Sequence, residues 1–129
     1  MQTNTPSVGC KINSSLLQRI EQQIHTHLSD PDFKVPKLLR AVGISRTDLH
    51  RKLTRMVGMS ATEYIRHVRL QHAKKLLLEE PEWSIGQISF EVGFNSQSYF
   101  ARAFIEVYGE CPTCYRKAHG IGEREMEHG

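Results

Sequence analysis

A glycine-centred pattern occurs twice in this chain of 129 residues, as "VGISRTDLHRKL" from Val42 and as "VGFNSQSYFARAF" from Val92. Each copy has an apolar residue, a glycine, a second apolar residue and a short polar segment. Two large apolar residues four apart then follow, Leu49 and Leu53 in one copy, Phe100 and Phe104 in the other. The turn glycines Gly43 and Gly93 lie 50 residues apart, and one extra residue in the second turn makes the offset 51 thereafter. At that offset Leu49 answers Phe100, Leu53 answers Phe104, Gly58 answers Gly109 and Tyr64 answers Tyr115. Glycine supplies the left-handed backbone that a tight helix exit needs, and a spacing of four keeps two side chains on one helix face. A short helix, a glycine turn and a second amphipathic helix make a helix-turn-helix. Matches in register over a whole unit point to an internal duplication.

The rest of the chain also reads as helix. Leu16, Leu17, Ile20, Ile24 and Leu28 recur at helical spacing, with Asn13 to Ser15 as candidate caps. Residues 1–13 are expected to be a disordered leader. A short helix over Val35 to Val42 places Pro36 in its first turn, where no backbone donor is missed. Ser45 caps a third helix, and Asp48 is expected to return the bond in a capping box. Its inner face carries Leu49, Leu53, Met56 and Val57, and Gly58 stops it. Ser60 and Glu63 form a second box at the head of a long helix from Ala61 to Leu78. Tyr64, Ile65 and Val68, then Leu70, Ala73, Leu76 and Leu77, give this helix apolar residues on more than one side, as expected of a connector between two subdomains.

Pro81 breaks the connector. Ser84 and Gln87 make a third box, opening a helix from Ile85 to Val92. Asn95 or Ser96 caps the next, whose apolar stripe is read as Tyr99, Phe100, Ala103, Phe104 and Val107. A last helix begins near Pro112. No strand alternation occurs. The expectation is an all-α fold of about seven helices: a helix-turn-helix subdomain over 14–59, a connector over 60–80, a second subdomain over 81–119 and a disordered tail over 120–129.

Charge narrows the partner. Residues 34–118 hold 14 Lys and Arg against 8 Asp and Glu, a formal +6, and the remaining residues sum to −3. A basic centre suits a polyanion. No run of 18 apolar residues occurs, so no membrane span is expected, and the start has neither the basic nor the apolar region of a signal peptide; a cytoplasmic location follows. Of three cysteines, Cys111 and Cys114 form "CPTC", a spacing found in redox and zinc sites. No second pair completes a tetrahedron and no βαβ pattern surrounds it. Without a catalytic dyad, a phosphate-cradling glycine loop or a metal constellation, neither enzymatic activity nor a cofactor is expected.

The inward residues fix which residues point out. On the third helix Arg46, Thr47, His50 and Arg51 form one strip, and Gln97, Ser98, Ala101 and Arg102 are its counterparts. Arginine pairs with guanine and glutamine with adenine, while Ser, Thr and His reach either kind of base edge. Lys52 and Arg55 suit phosphates, which add affinity without reading sequence. The competing reading is a solvated helix face. A connector of about 18 residues spans ~27 Å, which with the width of the flanking units brings the two strips near ~34 Å, one turn of B-DNA. One chain could then fill two successive major grooves.

These residues resemble the DNA-binding domain of AraC/XylS-type bacterial transcription regulators, over Leu16 to Ala118. "ISFEVGFNSQSYFARAF" with "YGECPTCYR" is similar to the family signature of glycine-aromatic, Ser-Tyr-Phe, Phe and Gly-x-x-Pro-x-x-Tyr-Arg. "YIRHVRLQHAKKLL" matches its connector pattern, with Arg69 and Ala73 in place. The resemblance implies two helix-turn-helix units on asymmetric double-stranded DNA sites. Base reading is implied at Thr47, His50, Arg51, Gln97, Ser98, Ala101 and Arg102, with Arg46 added from the helix face. Leu39 and Ser89 stand where the family has alanine, Lys34 and Cys111 where it has a Ser or Thr cap. Cys111 as a cap explains "CPTC" without chemistry. Helix three carries four basic residues against one acid, while helix six sets Arg102 against Glu106; the first unit is therefore expected to bind more strongly through charge.

"DPDFKV" is similar to response regulators and hybrid two-component sensors that carry this module at the C-terminus. The chain is expected to be a module of a longer regulator rather than a complete short activator, with a sensory or receiver domain elsewhere and RNA polymerase as a further partner. The alternative is a protein-interaction module that keeps the fold and binds DNA weakly or through the first unit only.

Overall fold

The computed structural model describes residues 7–120, and among them there are seven helices and no strand. They are α1 (Ser7–Thr26), α2 (Val35–Val42), α3 (Arg46–Val57), α4 (Ala61–Glu79), α5 (Ile85–Glu91), α6 (Gln97–Tyr108) and α7 (Pro112–His119). The expected leader and tail fall outside the described residues at 1–6 and 121–129. At 7–13 the expectation of disorder is corrected, because α1 already runs from Ser7. Ile12 lies four residues before Leu16, so the helical spacing reaches one turn further than the candidate caps suggested.

The chain divides into two compact units, Leu28–Asp32 with His67 onward forming the second and the remainder the first. The boundary falls inside α4, so the connector is shared between the units. In the first unit Ile20, Ile24, Leu38 and Leu53 are fully buried, with Phe33 and Leu49 beside them nearly so. Each such side chain contributes roughly 1.5–3 kcal/mol. Tyr64, in the first turns of α4, joins this core and donates to Glu21 Oε2 at 2.9 Å.

In the second unit Leu70, Leu77, Ile88, Phe100 and Phe104 are fully buried. Their rings interlock edge-on, Phe94 to Phe100 at 5.3 Å and Phe104 to Tyr115 at 5.8 Å. Arg69 lies inside this core and donates to the carbonyls of Leu28, Asp30 and Val92 at 3.0, 3.0 and 3.1 Å. Arg116 closes the end of α4, donating to Leu77 O at 3.0 Å and Glu80 O at 3.1 Å. The apolar stripe of α6 is narrower than its sequence suggested: Tyr99 and Val107 are exposed, because Phe100, Ala103 and Phe104 already fill the inner face.

Candidate nucleic-acid interface

In the first unit α3 begins at Ser45, whose extended backbone and Oγ, accepting from Asp48 N at 3.1 Å, cap the first turn. Buried Leu49 and Leu53 fix the rotation of the helix. Arg46, Thr47, His50 and Arg51 are all exposed as a result, Arg55 is exposed in the last turn, and Lys52 is half-buried. Arg46 and His50 sit on one flank, where they line a cleft of about 190 Å³ with Val35, Leu49 and Ser60 to Thr62. Thr47 and Arg51 lie further round the helix, and exposed Thr54 continues their side three residues on.

One expectation at this site is corrected. Asp48 does not return the bond to Ser45; its Oδ1 accepts from Arg51 Nη2 instead. Aspartate is one methylene shorter than the residues that close such boxes. The boxes at Ser60–Glu63 and Ser84–Gln87 are both complete.

In the second unit Ser96 caps α6 by accepting from Tyr99 N at 3.1 Å. With Phe100 and Phe104 buried, Gln97, Ser98 and Arg102 are exposed and Ala101 is half-buried. Ile105, 45% exposed, extends this strip three residues beyond Arg102. Its side chain has no donor or acceptor, so a hydrogen-bonding pattern in the sequence does not mark it. Gln97 lies against α5: a Cβ on Gly86 would come within 2.8 Å of its Oε1. Tyr99 takes the place that Asp48 has in α3 and leans on Phe94, ring centroids 5.6 Å apart.

The "CPTC" segment is a helix start. Cys111 is the N-cap of α7 and its Sγ accepts from Cys114 N at 3.1 Å. The hydrogen bond between the two side chains holds the Cys111 thiol below its ordinary pKa and pushes that of Cys114 up. Both cysteines are free. Among the described residues, no cluster of His, Cys, Asp and Glu could hold a metal ion, and no helix is long and apolar enough to cross a membrane.

A family model described as a helix-turn-helix domain matches residues 38–118. "Histidine kinase P4" of Formosa agariphila is 31% identical over 108 residues, 84% of this chain and 8% of that protein. Among solved structures, the C-terminal domain of AraT, a response regulator from Geobacillus stearothermophilus, superposes with a TM-score of 0.73 at 29% identity, covering 82% of this chain and 87% of that one. A probable AraC family transcriptional regulator from Rhodopseudomonas palustris gives 0.66 at 25% identity, covering 82% and 98%. The chain spans 8–36% of the length of eight curated relatives that it matches.

Proposed function

The chain belongs to the AraC/XylS family of DNA-binding transcription regulators, and from that premise we propose that α3 and α6 each enter a major groove of one asymmetric DNA site. The observation that carries this reading is the pair of exposed strips in register. Two helices, each capped by a serine and rotated by two buried residues four apart, present donor-rich side chains at matching positions.

Arg46, Thr47, His50 and Arg51 read bases in one groove, and Gln97, Ser98, Ala101 and Arg102 in the next. Arg55 and Lys52 take phosphates. The first unit supplies more of the charge attraction, because α3 carries Arg51, Lys52 and Arg55 with Arg46 against the single acid Asp48. The parent protein is a bacterial regulator in the cytoplasm, with a sensory or receiver domain and contact with RNA polymerase. Relatives described as a histidine kinase and a response regulator support the link to two-component signalling.

The test is enrichment of duplexes from a randomised pool by this chain, followed by a salt titration on the enriched site. Specific duplexes should emerge, and log K should fall linearly with log salt. Replacing Arg55 by Ala should lower that slope by about one without changing sequence preference. A chain that enriches nothing and binds no duplex at low salt would be an interaction module instead.

A further inference from the structure

Ser45, Ser60 and Ser84 each cap a helix by accepting from the N–H three residues on, at 3.1, 3.1 and 2.9 Å. At Ser60 and Ser84 the third residue returns the bond: Glu63 Oε1 accepts from Ser60 N at 3.0 Å, and Gln87 Oε1 from Ser84 N at 3.2 Å. Only at Ser45, of these three, is the acceptor turned elsewhere. Asp48 faces outward along α3 and binds Arg51.

We propose that Asp48 is a specificity-determining residue, positioning the Arg51 guanidinium for one base, a guanine. The inference rests on the DNA-binding reading given above. With side chains 58% and 44% exposed, the Arg51–Asp48 pair adds little to folding stability. Its consequence lies in direction. A free arginine samples many rotamers, and one held by a carboxylate keeps its fork aligned. Arg51 Nη2 donates to Asp48, and the donors left over from the five of a guanidinium are available to guanine O6 and N7.

The carboxylate also discriminates by repulsion. On a surface that approaches phosphates, an acid tolerates few neighbours: its arginine partner, or a donor such as cytosine N4. An Arg–Asp pair therefore favours a G·C pair over the alternatives. In the second unit Tyr99 stands where Asp48 does, and the acid set against Arg102 is Glu106, four residues further along α6.

The cap at Ser45 uses the backbone N–H of Asp48, so replacing the side chain leaves the cap in place. The experiment compares base preferences, by enrichment from randomised duplexes, for the full chain and for Asp48→Asn and Asp48→Ala, with thermal melts to confirm folding. Total duplex affinity should hold or rise, since a negative charge is lost. Preference at the position read by Arg51 should fall roughly tenfold, and preference at the position read by Arg102 should not change. With Arg51→Ala already present, Asp48→Asn should change preference much less than it does in the wild type, because only the direct effect of the carboxylate is left. Unaltered preferences in both folded Asp48 variants would overturn the proposal and leave Asp48 as a charge at a helix start. If the wild-type chain enriched no sequence at all, the DNA-binding reading would fall first and this inference with it.

Discussion

Arg69 Nη1 donates to the carbonyl oxygen of Val92 at 3.1 Å. Fifty residues earlier Arg19 Nη2 donates to Val42 O at 2.7 Å. Both arginines and both valines share the offset of the turn glycines, and so do Ile20 and Leu70, each fully buried. The repeating unit therefore includes the helix before each helix-turn-helix. In both copies a guanidinium satisfies an orphan carbonyl at the end of the first short helix, one residue before the turn.

The two arginines differ in depth, and their substitutions should differ accordingly. Arg69 is 5% exposed and serves three carbonyls; Arg19 is exposed and its bond to Val42 O is one contact at the edge of the core. Arg69→Ala should cost about 3 kcal/mol or more by leaving buried acceptors unpaired, and Arg19→Ala about 1 kcal/mol. Urea unfolding measures both. Equal losses would contradict the assignment.

Gly43 and Gly93 hold the same place in the repeat for different reasons. Both have positive φ, +78° and +93°, but a Cβ on Gly43 would meet nothing within 4 Å, whereas one on Gly93 would fall 1.4 Å from Arg69 Nη1 and 2.3 Å from Leu28 O. Gly43→Ala should lower stability by about 1–2 kcal/mol, the cost of left-handed backbone alone. Gly93→Ala should be far worse, because it displaces Arg69 from its carbonyls. Comparable melting temperatures for the two variants would sink this distinction.

Tyr64 links stability to alkaline pH. Burial and the hydrogen bond to Glu21 push its phenol well above the ordinary value of 10. An unfolded chain loses that proton near pH 10 while the folded chain keeps it. The stabilisation is therefore complete below pH 10 and is lost as pH rises beyond it. Tyr64→Phe should cost about 1 kcal/mol at neutral pH and flatten the decline in unfolding free energy above pH 10. An unchanged slope would mean that Tyr64 is not the group responsible.

Cys111 should tolerate serine. Its sulfur acts as a cap acceptor, a role that a hydroxyl fills well. Chains with both Cys111→Ser and Cys114→Ser should melt and bind DNA as the wild type does, whereas Cys111→Ala should melt lower. Loss of DNA binding in the serine pair would show that the thiols do more than start α7.

Most of the fold was legible because its punctuation is local. Ser45, Ser60, Ser84, Ser96 and Cys111 mark helix starts, and Gly43, Gly58 and Gly109 mark ends, so α2 to α7 fall within about two residues of expectation. The start of α1 was not legible, because Asn13 to Ser15 are good caps that also tolerate a helix interior. Arg19 was not legible because it is polar and exposed and belongs to no apolar periodicity, and Arg69 stood out only through the connector pattern, which does not reveal its three carbonyl partners. The offset of 50, applied to polar residues, would have found them. On α3 and α6, the burial of Leu49, Leu53, Phe100 and Phe104 set the outward strips, as the spacing implied. The partner that Asp48 takes was a competition between two acceptor geometries, which spacing alone does not decide.

Footprinting on an enriched duplex is the decisive measurement for the reading of two successive grooves by one chain. The experiment is run with the wild type, Arg51→Ala and Arg102→Ala. Two-groove reading requires two protected segments about one helical turn apart, one weakened by Arg51→Ala and the other by Arg102→Ala. A single protected segment, lost with Arg51→Ala and indifferent to Arg102→Ala, would contradict it.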